Sequence, residues 1–117
     1  MIKNIYLLGS TGSIGETSLN IIRKDKKYFK VELLATNKNI KKIHKQALEF
    51  NVKNIIIFNN NAYLKYINNF KNKKINVFSS IKDFIKINKN KSLITINAIS
   101  GIDGLEPTLD IIKYSKN

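Results

Sequence analysis

The chain of 117 residues contains no cysteine, which excludes a disulfide framework and a thiolate metal site and suits a reducing cytosol. No apolar run approaches the roughly 18 residues that a membrane span needs. Because the sequence leads directly into a strand-like segment, we expect no targeting signal. The eight acidic residues are scattered, without a pair suited to acid–base catalysis or to a metal. We therefore expect one cytoplasmic domain over residues 1–117, with no membrane contact and with neither catalytic nor metal-binding residues.

Negative charge is scarce, because the eight acidic residues face 21 Lys and Arg and the formal net charge is +13. A balance of this kind suggests nucleic acid or an anionic surface as a partner. However, Arg23 is the single arginine, whereas phosphate-reading surfaces favour Arg for its bidentate contacts. Lys, Ile and Asn, the residues of AT-rich codons, make up about half of the chain. We therefore interpret the charge as a solvated surface set by base composition, and binding to nucleic acid stays the weaker alternative.

Strand-like and helix-like segments alternate along the chain. The predicted strands span Lys3 to Leu8, Phe29 to Ala35, Asn54 to Phe58, Ile75 to Phe78 and Ser92 to Asn97. The predicted helices run from Ser13 to about Lys24, from Asn39 to about Phe50, from the Asn59–Asn61 turn to about Phe70, after Ser79 and Ser80, and from Pro107. Such alternation with short connections predicts an α/β fold, a Rossmann-like doubly wound parallel sheet of about five strands with flanking helices.

Apolar spacing predicts which side chains form the core. Those assigned to it are Ile14, Leu19, Ile21 and Ile22 of the first helix, Val31, Leu33 and Ala35 of the second strand, and Ile40, Ile43, Ala47 and Leu48 of the second helix. Five aromatic residues are also expected there, namely Tyr6, Tyr28, Phe29, Phe50 and Phe58. His44, the only histidine, falls among polar neighbours and is predicted to face solvent.

The segment Leu7 to Gly15, LLGSTGSIG, carries the clearest chemistry. An apolar strand leads into it, three glycines follow at intervals of three, and a helix begins at once. Such a turn leaves unpaired N–H groups at the helix start, where the helix dipole favours an anion, and glycines let a phosphate approach the backbone. The spacing GxxGxxG, rather than GxGxxG, is often met in NADP-dependent enzymes. We predict binding of a dinucleotide pyrophosphate, with Thr11 and Ser13 as hydroxyl donors; a purely structural turn is the alternative.

The end of the second predicted strand, Ala35 to Asn39, lacks an acidic residue. In NAD-binding folds, an Asp or Glu about 20 residues beyond the glycines binds the ribose 2′-hydroxyl. A carboxylate would repel a 2′-phosphate, whereas Lys38 can attract one and the amides of Asn37 and Asn39 can donate to it. This favours NADP over NAD. The alternative is a solvated turn in which Asn39 caps the second helix.

The turn Asn97 to Gly101 follows the last predicted strand at its carboxyl end. Ligands of open α/β sheets lie outside these ends, near the point where the strand order reverses. The small residues of this turn would admit the nicotinamide ribose of a dinucleotide. A plain connection between strand and helix is the alternative.

Taken together, these segments resemble the N-terminal domain of the 1-deoxy-D-xylulose 5-phosphate reductoisomerase family. The resemblance covers the whole chain in order and spacing. The segments that carry it are Leu8 to Gly15, Leu19 to Arg23, Phe29 to Val31, Leu48 to Phe50, Asn97 to Gly101 and Gly104 to Leu109.

The resemblance implies an NADPH-dependent enzyme of non-mevalonate isoprenoid synthesis. It would rearrange and reduce 1-deoxy-D-xylulose 5-phosphate to 2-C-methyl-D-erythritol 4-phosphate, with Mg²⁺ or Mn²⁺ and a homodimer in the full-length enzyme. The family's NADPH contacts match Thr11, Gly12, Ser13, Ile14, Asn37, Lys38 and Asn39. One departure is Asn37, where the family often has Gly, so this side chain would crowd the adenosine end or need a positive φ.

The family's Asn-Lys-Glu segment, metal ligands, substrate-phosphate site and C-terminal helical domain are expected beyond Asn117. We therefore expect this chain to be a fragment of the enzyme that is inactive by itself. Two other hypotheses stay open. One is a stand-alone NADP-binding module of another reductase or of a sensor, and the other is a basic nucleic-acid-binding protein.

Overall fold

The computed structural model describes residues 3–70, 74–87 and 94–97, in which five strands and four helices alternate. The strands are β1 (Lys3–Leu8), β2 (Phe29–Thr36), β3 (Asn54–Ile57), β4 (Asn76–Phe78) and β5 (Ile94–Asn97). The helices are α1 (Ser13–Lys24), α2 (Ile40–Glu49), α3 (Asn60–Asn69) and α4 (Ile81–Ile87). The helix predicted from Pro107 and the turn predicted after Asn97 lie outside the described residues.

All five strands are parallel and form one sheet in the order β4-β3-β2-β1-β5. From β1 the chain steps outward through β2 and β3 to β4, and it then returns to place β5 on the other side of β1. Parallel crossovers are right-handed, so a step in the reverse direction places its helix on the opposite face. The predicted doubly wound sheet is confirmed, and its switch point lies between β1 and β5.

Two apolar layers cover the sheet. α1, α2 and α3 pack on one face through residues such as Leu19, Ile43 and Tyr66. α4 packs on the other face through Phe84, whose ring meets the Tyr6 ring edge-on with 5.3 Å between the centroids. A parallel sheet is buried on both faces, which explains why β3 is apolar at every position after its first residue.

Val31, Leu33 and Ala35 of β2 are buried as predicted, but the spacing of two residues between them does not place all three on one face of the sheet. The register of β1 against β2 skips Glu32, which is an extra residue in the ladder. A bulge of this kind reverses the side-chain alternation beyond it. Val31 therefore lies in the layer with α1, whereas Leu33 and Ala35 lie in the layer with α4.

Four apolar side chains that were expected in the core lie on the surface. They are Ile14, Ile21, Tyr28 and Leu48. In α1 the buried stripe is narrower than predicted, because only Leu19 and Ile22 among its large apolar residues face the sheet. The remaining aromatic predictions are confirmed, since Tyr6 is buried and the partly buried Phe29, Phe50 and Phe58 pack against the core.

Candidate cofactor site

The loop Gly9 to Gly12 joins β1 to α1 at the carboxyl edge of the sheet. Leu8, the last residue of β1, pairs with Ala35 of β2 on one side and with Asn97 of β5 on the other. The loop is therefore at the switch point, where an open α/β sheet has its ligand crevice. Two consecutive N–H groups of the loop donate to the Ala35 carbonyl oxygen, at 2.8 and 2.9 Å, and fix the loop against β2.

The three glycines of the motif have different structural roles. Gly9 has a φ of 78°, in the left-handed region that favours glycine. Gly15 lies so close to the loop that an added Cβ would be 2.2 Å from the Gly9 carbonyl oxygen. Gly12 is exposed, and its added Cβ would be 3.8 Å from that same oxygen. Gly9 and Gly15 are thus required by the fold, whereas Gly12 keeps the outer side of the loop free of a side chain.

The first turn of α1 presents N–H groups beside the loop. Gly12 is the N-cap residue, and no side chain of the described residues caps the helix there. The N–H groups of Ser13, Ile14 and Gly15 have no carbonyl partner within the helix, and the helix dipole adds partial positive charge at this end. Ser13 and Ile14 are exposed. This arrangement suits a bound phosphate.

Two side chains of α2, one turn apart, reach the loop. Lys42 Nζ donates to the Thr11 carbonyl oxygen at 2.9 Å and lies 2.6 Å from Glu16 Oε1 in the first turn of α1. Gln46 is buried, and its Nε2 donates to the Ser10 carbonyl oxygen at 2.9 Å. Sequence reasoning missed both residues. Their spacing puts them on one helix face, but nothing local indicates a partner 31 or 36 positions away.

A pair of hydroxyl groups joins the loop to the end of β2. Thr11 Oγ1 and Thr36 Oγ1 share a hydrogen bond of 2.7 Å, and Thr36 is buried. The Thr36 carbonyl oxygen accepts the Phe58 N–H at 3.0 Å, so the backbone directly after β3 also fixes the position of Thr36. A hydroxyl has one donor and two acceptor positions, so Thr11 retains capacity for a further hydrogen bond.

The segment Asn37 to Asn39 follows β2 at the same edge, and all three residues are exposed. Asn39 Oδ1 accepts the Lys42 N–H at 3.2 Å and caps α2. The positive φ considered for Asn37 is wrong, because Asn51 is the one described residue other than glycine that has such a φ. Instead, the Asn37 carbonyl oxygen accepts the Asn59 N–H at 3.0 Å. The backbone segments that follow β2 and β3 therefore stay paired past the ends of the two strands.

The predicted site residues thus lie in two neighbouring segments. Those of the loop and first turn of α1 are Thr11, Gly12, Ser13 and Ile14, and those after β2 are Asn37, Lys38 and Asn39. They are brought together because β1 and β2 are adjacent and both segments leave the same edge of the sheet. Asn97 ends β5 beside Leu8, and the rest of its turn falls outside the described ranges.

The prediction that His44 faces solvent is met only in part, because its side chain is half-buried against α3. Its Nδ1 shares a hydrogen bond of 2.8 Å with the Tyr66 hydroxyl, and its ring centroid lies 4.6 Å from that of Phe70. Burial lowers the pKa of His44 and raises the pKa of Tyr66 to about 12, so both groups are neutral near pH 7. The polar neighbours of His44 along α2 give no sign that α3 covers this side of the helix.

Arg23 lies in the last turn of α1, at the end of the helix away from the loop. Its Nη2 donates to Glu49 Oε1 at 2.9 Å, which raises the pKa of Arg23 and lowers that of Glu49. Across residues 3–70, 74–87 and 94–97, no group of three or more His, Cys, Asp or Glu could hold a metal ion. Of the helices that the structure describes, none has both the length and the apolar character that a membrane crossing needs.

Comparison with known proteins decides between the open hypotheses. A sequence model of the 1-deoxy-D-xylulose 5-phosphate reductoisomerase family matches residues 5–117. The chain belongs to this family. The resemblance inferred from the glycine loop and the segments after it is therefore confirmed.

Two curated members of the family illustrate how far the match extends. The 1-deoxy-D-xylulose 5-phosphate reductoisomerase of Pelagibacter ubique is 50% identical over 116 residues, which cover 97% of the chain and 30% of that relative. Its counterpart in Desulfitobacterium hafniense is 34% identical over 116 residues, covering 98% of the chain and 30% of the relative. The chain thus spans about 30% of the length of these relatives.

Solved structures of the family share the fold. The reductoisomerase from Zymomonas mobilis, in complex with NADPH, superposes with a TM-score of 0.84 at 24% identity, over 97% of the chain and 30% of that structure. A DOX-P reductoisomerase in complex with NADPH, fosmidomycin and magnesium gives a TM-score of 0.81 at 25% identity, over 93% of the chain and 27% of that structure. The Rossmann-like fold predicted from the alternation of elements is confirmed.

Proposed function

We propose that the chain is the NADPH-binding portion of a 1-deoxy-D-xylulose 5-phosphate reductoisomerase. The complete enzyme would rearrange and reduce 1-deoxy-D-xylulose 5-phosphate to 2-C-methyl-D-erythritol 4-phosphate in non-mevalonate isoprenoid synthesis. NADPH supplies the hydride, and residues 1–117 belong to the domain that binds it. The observation that carries the proposal is the glycine loop at the switch point, next to a strand end without an acidic residue.

The pyrophosphate of NADPH is proposed to bind at Thr11, Gly12, Ser13 and Ile14. The free N–H groups of the first turn of α1 and the helix dipole favour an anion here. The exposed Gly12 lets a phosphate approach the backbone without meeting a side chain. The Ile14 side chain is 61% exposed beside the loop. A dinucleotide would cover this apolar surface, which favours binding.

The 2′-phosphate of the adenosine is proposed to bind at Asn37, Lys38 and Asn39. Lys38 is exposed and brings a positive charge, and no carboxylate in this segment repels the phosphate. Asn39 uses its Oδ1 to cap α2. The amide nitrogen of the same side chain is a donor, so Asn39 can cap the helix and donate to the phosphate at once.

Catalysis is proposed to need other parts of the complete enzyme. The described residues offer no cluster that fits Mg²⁺ or Mn²⁺, so we assign neither a metal ligand nor a reaction step to them. By itself the chain is proposed to bind NADPH without turnover. The complete enzyme is proposed to be a cytoplasmic homodimer.

Titration of the chain with NADPH and with NADH tests the proposal through Lys38. The reduced nicotinamide is fluorescent, so both Kd values can be followed by one signal. Lys38→Met should raise the Kd for NADPH about tenfold, which is the value of one charge-assisted hydrogen bond at an exposed site. The Kd for NADH should be unchanged. Lys45→Met, which removes the same charge from an exposed position of α2, is the control. Equal affinity of the unmodified chain for NADPH and NADH would refute the role of Lys38.

A further inference from the structure

Gln46 and Lys42 of α2 bond to two successive carbonyl groups of the glycine loop. Gln46 Nε2 donates to the Ser10 carbonyl oxygen and Lys42 Nζ to the Thr11 carbonyl oxygen, each at 2.9 Å. We propose that Gln46, assisted by Lys42, is a positioning residue that turns the Thr11 N–H outward to the pyrophosphate. This inference rests on the proposed NADPH site and assigns the part of the fold that orients it.

The direction of the Thr11 N–H follows from peptide geometry. No described peptide bond is cis, and in a trans peptide the N–H points away from the carbonyl oxygen before it. Because the Ser10 carbonyl is held toward α2, the Thr11 N–H is directed away from α2. The other N–H groups of the loop have acceptors, namely the Ala35 oxygen for Gly9 and Ser10 and the Gly9 oxygen for Gly12. Within the described residues, only the Thr11 N–H of these four has none.

The hydrogen bond from Gln46 to the loop is better explained by a role in orienting the loop than by a gain in the stability of the fold. Its Oε1 and the Ser10 Oγ are both buried, and neither has a hydrogen-bond partner among the described residues. A buried polar group left without a partner destabilises the fold. A methionine of similar size would remove the unpaired oxygen and leave one carbonyl unpaired instead, so we expect little change in stability. What methionine cannot do is hold the Ser10 carbonyl in place.

Lys42 has a second effect on the same anion site. Glu16 lies in the first turn of α1, where its negative charge would repel a pyrophosphate. Lys42 Nζ lies 2.6 Å from Glu16 Oε1 and offsets this charge. Lys42→Met should therefore weaken NADPH binding more than Lys45→Met, which removes the same charge from an exposed position of α2. Glu16→Gln added to Lys42→Met should recover part of the loss.

The experiment compares Gln46→Met with Lys45→Met, which introduces the same side chain at the preceding, exposed position. Two probes are titrated, NADPH and adenosine 2′-monophosphate, which carries the 2′-phosphate but no pyrophosphate. For Gln46→Met we expect the Kd for NADPH to rise about three- to tenfold, with an unchanged Kd for adenosine 2′-monophosphate and an unchanged Tm. Lys45→Met should leave all three values as they are.

Two results would overturn the positioning role. The first is a Gln46→Met chain that binds NADPH as tightly as the unmodified chain. The second is an equal loss for both probes together with a lower Tm, which is what a merely structural residue would show. If the unmodified chain binds neither probe, the proposed function fails. Backbone ¹⁵N relaxation of the Thr11 amide then tests the geometry, because greater mobility in Gln46→Met supports it and equal order refutes it.

Discussion

Replacement of Gly15 by alanine tests the contact that seats α1 on the loop. An added Cβ would lie 2.2 Å from the Gly9 carbonyl oxygen and 2.7 Å from both the Cα and the carbonyl carbon of Ser10. Ordinary van der Waals contact begins at 3.4 Å, so the helix must move by about 1 Å. The obstructing atoms are backbone, and two hydrogen bonds tie their loop to Ala35. No side-chain rotation can therefore relieve the strain.

Two energy terms of opposite sign set the size of the effect. Overpacking costs about 1–3 kcal/mol and occasionally more, and a backbone contact at 2.2 Å belongs at the upper end of that range. Alanine in place of glycine inside a helix returns about 1 kcal/mol. We expect Gly15→Ala to lose about 2 kcal/mol of unfolding free energy, which lowers the Tm by roughly 8 °C in a domain of this size.

Gly12→Ala is the matched control, because it adds the same methyl group to the same loop. Gly12 has a φ of −81° and a ψ of 177°, which any residue adopts, and its added Cβ meets no close atom. The poorer N-cap and the smaller freedom of the unfolded chain are each worth about 0.5–1 kcal/mol and cancel. Thermal and urea unfolding followed by circular dichroism measures both variants. A Gly15→Ala chain with the Tm of the unmodified chain, or an equal loss in Gly12→Ala, would refute the packing argument.

Two further predictions concern α2 and α3. Because burial lowers the pKa of His44 below 6.5, the unfolded chain binds more protons just below that pH; the contribution of His44 is complete above pH 6.5 and is lost as the pH falls. The urea midpoint of the unmodified chain should thus fall more steeply below pH 6.5 than that of His44→Gln, and parallel curves would contradict this. Asn59 Oδ1 accepts the Ala62 N–H at 3.0 Å and caps α3, so Asn59→Ala should cost about 1 kcal/mol in urea unfolding. Asn61→Ala, at an exposed position inside α3, should cost nothing, and equal losses would show that the cap is not the cause.

The order of the elements could be predicted because their boundaries have local causes. α2, α3 and α4 each start after a side chain that accepts a backbone N–H group, such as Ser80, whose Oγ accepts the Asp83 N–H at 3.2 Å. The apolar run of β3 and the glycine loop are equally local signals. The bounds differ by a residue or two, as in β2, which continues to Thr36. The cofactor contacts of the loop and of Lys38 remain predictions.

Features that depend on distant pairing could not be predicted. The bulge at Glu32 arises from the register of β2 against β1, and no local pattern in β2 marks it. The partial burial of His44 depends on α3, and the contacts of Gln46 depend on a loop that precedes it by 36 positions. In each case the periodicity of a segment predicts its own secondary structure correctly but does not indicate which distant segment packs against it.

α2 links the two halves of the proposed site into one rigid unit. Asn39 caps this helix directly after the segment proposed for the 2′-phosphate, and Lys42 and Gln46 bond to the loop proposed for the pyrophosphate. A helix rises 1.5 Å per residue, so the distance between these contacts is set before any ligand arrives. Preorganisation of this kind lowers the ordering cost of binding. The choice between NADPH and NADH should therefore depend on how α2 packs against the sheet, through the buried Ile43 and Ala47, as well as on Lys38.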